Sequence, residues 1–332
     1  MQDLIKDKVI LVTGGTGTIG SRLVTEILKL SPKQVRVFSR DEGRQHDLLQ
    51  LTGHPANLRL FIGDVRDFPR LKRAFAGVDI VFHAAAMKYV PLCEYNPFEA
   101  VKTNILGSQN VIDAALACGV KKVVAVSTDK VVNPVGVMGT SKLMMEKLFI
   151  NANYYKGDAD THFSCVRFGN VTWARGSVLP LWKKQAEETG SITVTDPEMT
   201  RFLMSQAEAV GLVLEALRQM KGGEIFVFKM AAVKVVDLVK IFSEKYCAGK
   251  KVEIKTAGKR AGEKIHEELL GSALGSARVF ENERMFIICP ELNIYGFEVY
   301  GKPDYPKFTI KTLGDVYSSQ DHLDPEKIKE IV

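Results

Sequence analysis

Two side chains of opposite charge stand next to each other at the end of an apolar run. Asp129 and Lys130 close the segment Ser127-Thr128-Asp129-Lys130, directly after the β-branched stretch Lys122 to Val126. A carboxylate and an ammonium can serve as acid and base once burial and mutual contact push their pKa values apart. The alternative is an ordinary surface ion pair in a loop. We favour the chemical interpretation because open parallel sheets bind ligands in the loops at the carboxyl ends of their strands.

A second lysine, Lys142, stands four residues after Met138 in the segment Met138-Gly139-Thr140-Ser141-Lys142. In a helix these two side chains lie one turn apart on the same side. Methionine has no acidic proton, so Met138 cannot take a proton from a substrate hydroxyl. If this side of the helix reaches a bound substrate, the acid and base work falls to other groups, of which Asp129 and Lys130 are the natural candidates.

A glycine-rich turn follows the first predicted strand and opens the first predicted helix. Glycines permit the tight turn and bring backbone N–H groups close to a pyrophosphate, whose charge the helix N-terminus stabilises. The strand before and the helix after favour a dinucleotide site over a purely structural turn. The turn is Thr13-Gly14-Gly15-Thr16-Gly17-Thr18-Ile19-Gly20, and we expect cofactor contacts from Gly14, Thr16, Gly17, Thr18 and Ile19.

The tip of the second predicted strand indicates which dinucleotide binds. An NAD site usually has an acidic side chain here, on the ribose hydroxyls, whereas Ser39 followed by Arg40, with Arg44 close by, suits a 2′-phosphate. NADP is therefore favoured over NAD. The alternative is that Arg40 and Arg44 are solvated cations at a helix start, and Asp41 lies near enough to leave NAD possible.

Later loops complete the predicted cofactor site. Asp64 and Val65 follow the third strand and are placed for the adenine edge. Ala84, Ala85 and Ala86 follow the fourth strand and leave room for a nicotinamide nucleotide. We assign no chemistry to His83, because a lone histidine at a strand end is more often buried and hydrogen-bonded than a base.

Strand and helix patterns alternate through the first half of the chain, which predicts a Rossmann-type doubly wound parallel α/β sheet. We place a dinucleotide-binding Rossmann domain at residues 1–170, with a returning segment near 203–230. Residues 171–332 are predicted to be mainly a smaller substrate-binding lobe and a C-terminal extension. The predicted strands are Val9 to Val12, Val35 to Phe38, Leu58 to Ile62, Asp79 to Phe82, Lys122 to Val126 and Phe163 to Phe168. The predicted helices are Thr18 to Leu30, Phe68 to Ala76, Pro97 to Ala117, Val137 to Tyr155, Ala207 to Met220 and Val235 to Tyr246.

Composition excludes several classes of protein. The chain has 332 residues, 46% of them apolar, and a net charge of +6 that is spread along the sequence, which suits an anionic ligand better than nucleic acid. Five cysteines form no close pair, which argues against a disulfide framework or a zinc cluster and favours a reducing cytoplasm. The charged N-terminal segment resembles neither a signal peptide nor an anchor, and we expect no membrane insertion and no metal. We also expect a homo-oligomer.

A series of short segments occurs here in an order that one family shares. The segments are Thr13 to Gly20, Phe38 to Glu42, His83 to Pro91, Lys102-Thr103-Asn104, Ser127 to Lys130, Asn133-Pro134, Met138 to Lys142, Arg167 to Val171, Arg175 to Val178 and Thr195 to Phe202. In these the chain resembles extended short-chain dehydrogenases/reductases, and among them the UDP-N-acetylglucosamine 4,6-dehydratases of bacterial polysaccharide, capsule and flagellin-sugar synthesis. The resemblance covers nearly the whole chain and weakens after about Gly271.

The resemblance implies an internal redox cycle on a UDP-sugar. Oxidation at C4 of the hexose acidifies H5, water leaves across C5 and C6, and the hydride returns to C6. By similarity Lys130 removes H5, Asp129 protonates the departing hydroxyl, and Lys142 holds the nicotinamide ribose. Most of the superfamily has tyrosine where Met138 stands, although some 4,6-dehydratases also have methionine there. The group that deprotonates the C4 hydroxyl is then Thr128 with a water, Lys130 or Asp129.

The resemblance also implies further site residues. Asn104 orders water and backbone near the catalytic lysine, and Ser127 lines the cofactor. Arg201 and Arg260 have forked donors suited to a diphosphate, but each could instead form an ordinary ion pair. The expected substrate contacts are Lys88, Asn170, Arg175, Ser177, Val178, Arg201, Arg260 and Glu263. Two rival functions stay open: a nucleotide-sugar 4-epimerase or 4-reductase of the same fold, and a non-catalytic NADP-binding regulatory protein.

Overall fold

The structure is a computed structural model of the chain. It describes residues 1–247, 252–272, 277–290, 293–294, 297–298, 304–311 and 314–332.

A ten-stranded sheet organises the molecule. Its order is β18-β14-β15-β10-β6-β5-β4-β1-β2-β3, in which the seven strands from β10 to β3 are parallel and the last three at the other edge are antiparallel. The strands are β1 Val9–Thr13, β2 Gln34–Ser39, β3 Leu58–Ile62, β4 Ile80–His83, β5 Lys122–Val126, β6 His162–Arg167, β7 Asn170–Val171, β8 Ser191–Val194, β9 Thr200–Met204, β10 Ile225–Phe228, β11 Ala232–Lys234, β12 Glu253–Thr256, β13 Glu268–Leu270, β14 Arg278–Glu281, β15 Met285–Cys289, β16 Asn293–Ile294, β17 Phe297–Glu298, β18 Thr309–Lys311 and β19 Tyr317–Ser318. The order 3-2-1-4-5-6 confirms the predicted Rossmann-type sheet.

Helices pack against this sheet in two groups, α2 with α10, and α4 with α7 and α8. Their bounds are α1 Gln2–Ile5, α2 Thr18–Leu28, α3 Glu42–Thr52, α4 Phe68–Phe75, α5 Val90–Tyr95, α6 Pro97–Ala100, α7 Gly107–Cys118, α8 Val137–Tyr155, α9 Val178–Thr189, α10 Gln206–Gln219, α11 Val235–Tyr246 and α12 Pro325–Ile331. Every residue of β1 and β4 is buried, because both faces of a parallel sheet are covered. This explains the continuous apolar runs in the sequence.

Two helix ends have residue types that favour a helix start or stop. The Asp67 carboxylate accepts a hydrogen bond from the Arg70 backbone N–H and starts α4, and Gly119 ends α7 with φ of 68°. The predicted single helix Pro97 to Ala117 is wrong. A π-helical segment, Val101–Leu106, separates α6 from α7, and its side chains make the contacts described below.

Residues after 170 contribute to two cores. Strands β10, β14, β15 and β18 extend the large sheet. Strand β9 pairs with β7 and β11, and β8 pairs with β12, beside a second apolar cluster in which Trp182 of α9 packs edge-on against Phe242 of α11. That the smaller sheets and their helices bind the substrate stays a prediction.

Among the described residues, no helix is both long enough and apolar enough to cross a bilayer. In the same part of the chain, no cluster of His, Cys, Asp or Glu side chains is arranged to hold a metal ion.

Candidate active site

The turn after β5 places Asp129 and Lys130 in direct contact. Asp129–Val131 form one 3₁₀ turn, and the Asp129 backbone N–H donates to the Phe168 carbonyl just past β6. The Asp129 side chain is fully buried, and its Oδ1 accepts hydrogen bonds from Lys130 Nζ at 2.9 Å and from the Thr128 hydroxyl at 2.8 Å. The turn therefore holds an ammonium, a hydroxyl and a carboxylate within one hydrogen-bonded group.

The Lys130 ammonium lies among three acceptor oxygens from different parts of the chain. Its Nζ is 2.9 Å from Asp129 Oδ1, 3.3 Å from Asn170 Oδ1 and 3.3 Å from Glu267 Oε1. Burial alone would lower the pKa of Lys130, but the charges of Asp129 and Glu267 outweigh both burial and the opposing charge of Arg201, so the pKa is raised. The lysine is a cation in this resting arrangement.

Buried polar atoms without a hydrogen-bond partner occur at several predicted site residues. In the described residues they include Ser127 Oγ, Asp129 Oδ2, Ser177 Oγ and Glu263 Oε2. Buried polar atoms normally have partners, so each exception calls for an explanation such as a ligand or a water. These four atoms belong to residues that the sequence predicts to bind the cofactor, to bind the substrate or to act in catalysis.

Helix α8 brings Met138 up to the same turn. A Cβ on Gly139 would lie well inside van der Waals contact of the Lys130 carbonyl oxygen, so glycine is required for this approach. Met138 is buried against Cys93 and Ala100, and it lines a small pocket together with Lys130. The methionine therefore packs beside Lys130, and it provides no group that exchanges protons there.

Lys142 lies one turn further along α8 and faces the sheet. Its Nζ donates to the Val126 carbonyl at 2.6 Å and contacts Met145 Sδ at 2.9 Å. Burial lowers the pKa of Lys142 to about 8, although Glu146 opposes the shift. Because an ammonium has three donors, one of them remains for a ribose hydroxyl.

The glycine-rich turn forms an open cradle at the start of α2. Gly14 has φ of +66°, and a Cβ there would lie 2.7 Å from the Ala85 backbone nitrogen. The helix starts at Thr18, and Gly17 is an N-cap without a side chain, so no side chain caps the first-turn N–H groups. Thr16 and Ile19 belong to the same turn. This is the arrangement in which helix N-termini bind phosphate.

The tip of β2 has two exposed arginines, each near a carboxylate. Arg40 Nη1 lies 3.8 Å from Asp64 Oδ2 with 66% of its side chain exposed, and Arg44 Nε lies 3.2 Å from Asp41 Oδ2. Ser39 is buried and its hydroxyl accepts a hydrogen bond from the side chain of a neighbouring glutamine. Partial burial would raise the pKa of Asp64, but hydrogen bonds from Arg66 lower it overall.

The remaining predicted cofactor residues lie around the ends of β3, β4 and β5. The Ala84 N–H donates to the Thr13 carbonyl, which places Ala84 to Ala86 beside the glycine turn, and buried Val65 packs on Gly107. Asn104, in the π-helical segment, bonds the Met87 backbone and Ser141 Oγ.

His83 takes no part in this site. Its ring nitrogens lie 2.7 Å from the Thr13 hydroxyl and 3.1 Å from the Ser108 hydroxyl. Burial, with the charge of Lys142, lowers the pKa of His83 to about 3. A neutral ring with both nitrogens hydrogen-bonded agrees with the structural role predicted for it.

The predicted substrate residues fall into two groups. Lys88 Nζ donates to the Arg175 carbonyl, and the Arg175 N–H donates to Thr18 Oγ1 at the start of α2. Ser177 is the N-cap of α9, without a side-chain capping bond, and Val178 is the first residue of that helix. This first group lies next to the glycine-rich turn.

The second group includes Arg201 and the segment around Arg260. Arg201 donates from Nη1 to the carbonyls of Thr200 and Ile265 and from Nη2 to the carbonyl of Lys264. These bonds tie residues 264–265 to β9, and they occupy donors that a diphosphate would need. Arg260 is exposed, and Glu263 lies partly buried, its backbone N–H donating to the Arg260 carbonyl.

The comparisons with known proteins agree on a family. The family described as "Polysaccharide biosynthesis protein" matches residues 10–289. The chain belongs to this family. This match and the dehydratase relatives given next confirm the resemblance to extended short-chain dehydrogenase/reductase dehydratases.

Several relatives match this chain over most of its length. A Methanocaldococcus jannaschii protein described as an uncharacterized membrane protein is 48% identical, over 100% of this chain and 97% of its own. A Campylobacter jejuni protein named UDP-N-acetylglucosamine 4,6-dehydratase (inverting) is 43% identical over 94% of this chain and 90% of its own. A Rickettsia felis protein named UDP-glucose 4-epimerase is 43% identical over 80% and 78%. The X-ray structure of Pen from Bacillus thuringiensis superposes with a TM-score of 0.91, at 41% identity over 98% and 97%.

Two residues of this site were missed by the sequence analysis. Glu267 is buried and contacts Lys130, and Lys264 lies 3.5 Å from Glu267 Oε2 while its Nζ donates to the Val132 carbonyl. Both lie about 135 residues from Lys130 in the sequence, in a segment without a helical or strand period. Only the fold brings them to the turn after β5.

Proposed function

We propose that this protein is a UDP-N-acetylglucosamine 4,6-dehydratase, a hydro-lyase that forms a UDP-4-keto-6-deoxy-N-acetylhexosamine. The main support is the buried contact of Asp129 with Lys130, in which Oδ2 of Asp129 has no hydrogen-bond partner. The adjacent helix places a methionine, Met138, where most of the superfamily has a tyrosine. Dehydration needs an acid and a base beyond those of simple oxidation, and this pair provides both. The name of the Campylobacter relative supports the same substrate.

The geometry suggests how the pair works. Transfer of one proton from Lys130 Nζ to Asp129 across the 2.9 Å hydrogen bond makes an amine and a carboxylic acid at once. The amine removes H5, the electrons form the C5–C6 double bond, and the acid protonates the C6 hydroxyl, which leaves as water. A proton from Lys130 then returns to C5 when C6 is reduced. The bound cofactor would supply the oxidation at C4 and the reduction at C6.

The proton of the C4 hydroxyl needs a separate acceptor, because Met138 cannot take it. Thr128 with a water, Lys130 and Asp129 are the candidates. Thr128 Oγ1 already donates to Asp129 Oδ1 at 2.8 Å. A proton from C4 could therefore leave through the threonine hydroxyl and a water while Asp129 holds the proton of Lys130, and one proton returning by the same route after reduction at C6 restores the resting pair.

The residues present fit a nicotinamide dinucleotide. The cradle at Gly14 has no room for a Cβ, and the α2 N-terminus has no side-chain cap, so both suit a pyrophosphate. Ser127 Oγ and one donor of Lys142 remain for the nicotinamide ribose. We propose NADP rather than NAD because Arg40 and Arg44 are exposed at the tip of β2.

Replacing Arg40 by alanine is expected to weaken NADP binding by ~1.5–3 kcal/mol more than NAD binding, the contribution of one hydrogen bond to a charged group. Titration calorimetry with both cofactors measures the difference. Arg22→Ala is a matched control, since Arg22 is also an exposed arginine with a nearby carboxylate, Glu26. Equal losses for NADP and NAD in Arg40→Ala would contradict the proposed preference.

Met138→Leu is expected to keep substantial dehydratase activity, because leucine has a similar volume and neither side chain transfers protons. Met138→Tyr is expected to give no large gain, since a larger side chain would have to fit against Cys93 and Ala100. The dehydration rate and deuterium transfer from C4 to C6 are the measurements, and Met144→Leu, on the exposed side of α8, is the control. Inactivity of a folded, cofactor-loaded Met138→Leu would reveal a specific role for the thioether, and a strong gain in Met138→Tyr would show that oxidation limits the rate.

The names of the Rickettsia relatives favour one alternative, a nucleotide-sugar 4-epimerase. An epimerase has no need of Asp129 and Lys130 and would normally keep the tyrosine. Incubation with UDP-N-acetylglucosamine, followed by mass spectrometry, separates the two: dehydration lowers the product mass by one water, whereas epimerisation leaves it unchanged. NMR then gives the configuration at C5. An unchanged mass with inversion at C4 would overturn the dehydratase, and cofactor binding without turnover would indicate a regulatory protein.

Substrate binding and cellular context follow as further proposals. Lys88, Arg175 and the start of α9 lie beside the glycine-rich turn and suit the anionic part of a UDP-sugar, with Asn170 near the reacting carbons. Arg201, Arg260 and Glu263 are proposed to line the other side. A cytoplasmic location and a homo-oligomeric assembly stay predictions.

A further inference from the structure

Glu267 has no role in the function proposed above, yet it lies within the acid–base group. Its carboxylate is 2% exposed, and Oε1 is 3.3 Å from Lys130 Nζ. Glu267 comes from a distant part of the chain, the residue just before β13. Asp129, by contrast, is the sequence neighbour of Lys130. Lys130 therefore has two carboxylate partners that come from separate segments.

The surrounding contacts hold Glu267 in place. Its backbone N–H donates to Ser319 Oγ, its carbonyl accepts from the Ser319 N–H, and the Ser319 hydroxyl also contacts Thr200. Arg201, on the same strand as Thr200, ties down the preceding residues. These contacts hold the backbone of Glu267 beside the 3₁₀ turn, which brings its buried carboxylate to Lys130.

Only Oε1 of Glu267 contacts Lys130. Oε2 is buried without a hydrogen-bond partner and lies 3.5 Å from Lys264 Nζ. One carboxylate is thus shared between two lysines, which partly neutralises it. Both oxygens of Glu267 thus face lysines, so its effect on catalysis is expected to pass through Lys130.

The donor count of Lys130 shows why a second carboxylate is useful. An ammonium has three N–H donors, and three acceptor oxygens surround it here. When Lys130 gives up a proton, two N–H groups remain, and Asn170 and Glu267 can keep both. With those two N–H groups held, the nitrogen keeps its position through the proton cycle.

We propose that Glu267 is a positioning residue that acts through Lys130, keeping its amine oriented and setting the pH range over which that amine is protonated. The inference rests on the proposed function for its catalytic meaning, but the coupling itself concerns only this chain's side chains.

The charged groups that face Lys130 are Asp129 from the 3₁₀ turn, Glu267 from the segment before β13 and Arg201 from β9; Lys264 faces Glu267, and His266 lies against Thr200.

The first measurement does not depend on turnover. Trace acetic anhydride acetylates only neutral amines, so the extent of Lys130 acetylation against pH, determined by peptide mass spectrometry, gives its pKa. Glu267→Gln removes a negative charge 3.3 Å away, and we expect the pKa of Lys130 to fall by about 1–3 units. Glu267→Asp keeps the charge and is expected to stay nearer the parent value.

The adjacent residue provides a matched control. Glu268→Gln makes the same substitution one position along, where the carboxylate bonds Asn133, and it should leave the pKa of Lys130 unchanged. Lys264→Met tests the opposite direction: with its second cation gone, Glu267 acts more strongly on Lys130, so the pKa of Lys130 should rise. This variant keeps the inference testable if Glu267→Gln does not fold.

The second measurement is the pH profile of kcat/KM with UDP-N-acetylglucosamine. The limb that reports Lys130 should move to lower pH in Glu267→Gln by the shift seen in labelling, an effect that a merely structural role would not produce. An unchanged Lys130 pKa in folded Glu267→Gln and Lys264→Met overturns the inference. If Glu267→Gln lowers the pKa of Lys130 but the parent protein does not dehydrate the substrate, the proposed function is refuted, whereas the coupling of Glu267 to Lys130 still holds.

Discussion

Replacing Lys130 by methionine, or Asp129 by asparagine, is expected to reduce dehydration at least ~100-fold, the usual contribution of a general acid or base. Methionine fills the space of the lysine but has no amine, and asparagine keeps the shape of the aspartate but cannot carry the proton to the C6 hydroxyl. The rate of water loss, measured with saturating cofactor, is the readout. A variant of either residue that turns over near the parent rate would show that the roles are assigned to the wrong groups.

A charge-conserving variant separates chemistry from stability. Lys130→Met leaves Asp129 and Glu267 buried without their shared cation, which is costly by itself. Lys130→Arg keeps a cation between them, but a guanidinium does not lose its proton in proteins. We therefore expect Lys130→Arg to unfold closer to the parent than Lys130→Met does and still to lack activity. An active Lys130→Arg would rule out Lys130 as the base.

Local patterns account for the parts of the fold that the sequence predicted. Every residue of β1 and β4 and the three central residues of β5 are buried, because both faces of this part of the sheet are covered, so each strand shows as a continuous apolar run in the sequence. The helices at Val137–Tyr155 and Val235–Tyr246 have the predicted bounds. Helix α3 was missed because Glu42–Thr52 is mostly polar and buries only Gln45 and Leu48, which leaves no apolar stripe to recognise.

The interrupted helix near Asn104 has a tertiary cause. The Asn104 side chain bonds the Met87 backbone in both directions and reaches Ser141 on α8, and Gly107 packs directly on Val65. These contacts join segments that are far apart in the chain and favour the π-helical turn. Helix propensity contains no information about them.

The same distinction applies to the site. Asp129 and Lys130 are neighbours in the sequence at a strand end, so their common place in the loop after β5 could be predicted, whereas their contact depends on the 3₁₀ turn. Glu267 and Lys264 are brought to the site by two tertiary contacts: the short pairing of β13 with β19 and the hydrogen bond from Arg201 to the Lys264 carbonyl. Neither has a periodic or spacing signal, because three-residue strands are too short to show one.

The close approach of α8 to the Asp129–Lys130 turn requires glycine at position 139. A Cβ on Gly139 would overlap the Lys130 carbonyl oxygen and lie 3.2 Å from Pro134 Cβ, so the nearest obstacle is backbone and cannot rotate away. The helix or the turn would have to shift. Because α8 carries Met138 and Lys142 and the turn carries Asp129 and Lys130, any such shift changes the distance between the two parts of the site.

Gly139→Ala is therefore expected to destabilise the protein by ~1–3 kcal/mol, as overpacked cores do, and to lower the dehydration rate by as much as ~100-fold, the cost of a misplacement of about 1 Å. Gly211→Ala is the matched control: Gly211 lies inside α10, a Cβ there would meet nothing within 4 Å, and alanine in a helix should stabilise by ~0.5–1 kcal/mol. Urea unfolding and the rate of water loss, measured on both variants, give the two quantities. If both variants become more stable and keep their activity, ordinary helix propensity governs residue 139 and the close packing is contradicted. Close packing of α8 on the Lys130 turn requires that Gly139→Ala be destabilised and lose activity while Gly211→Ala is stabilised and stays active.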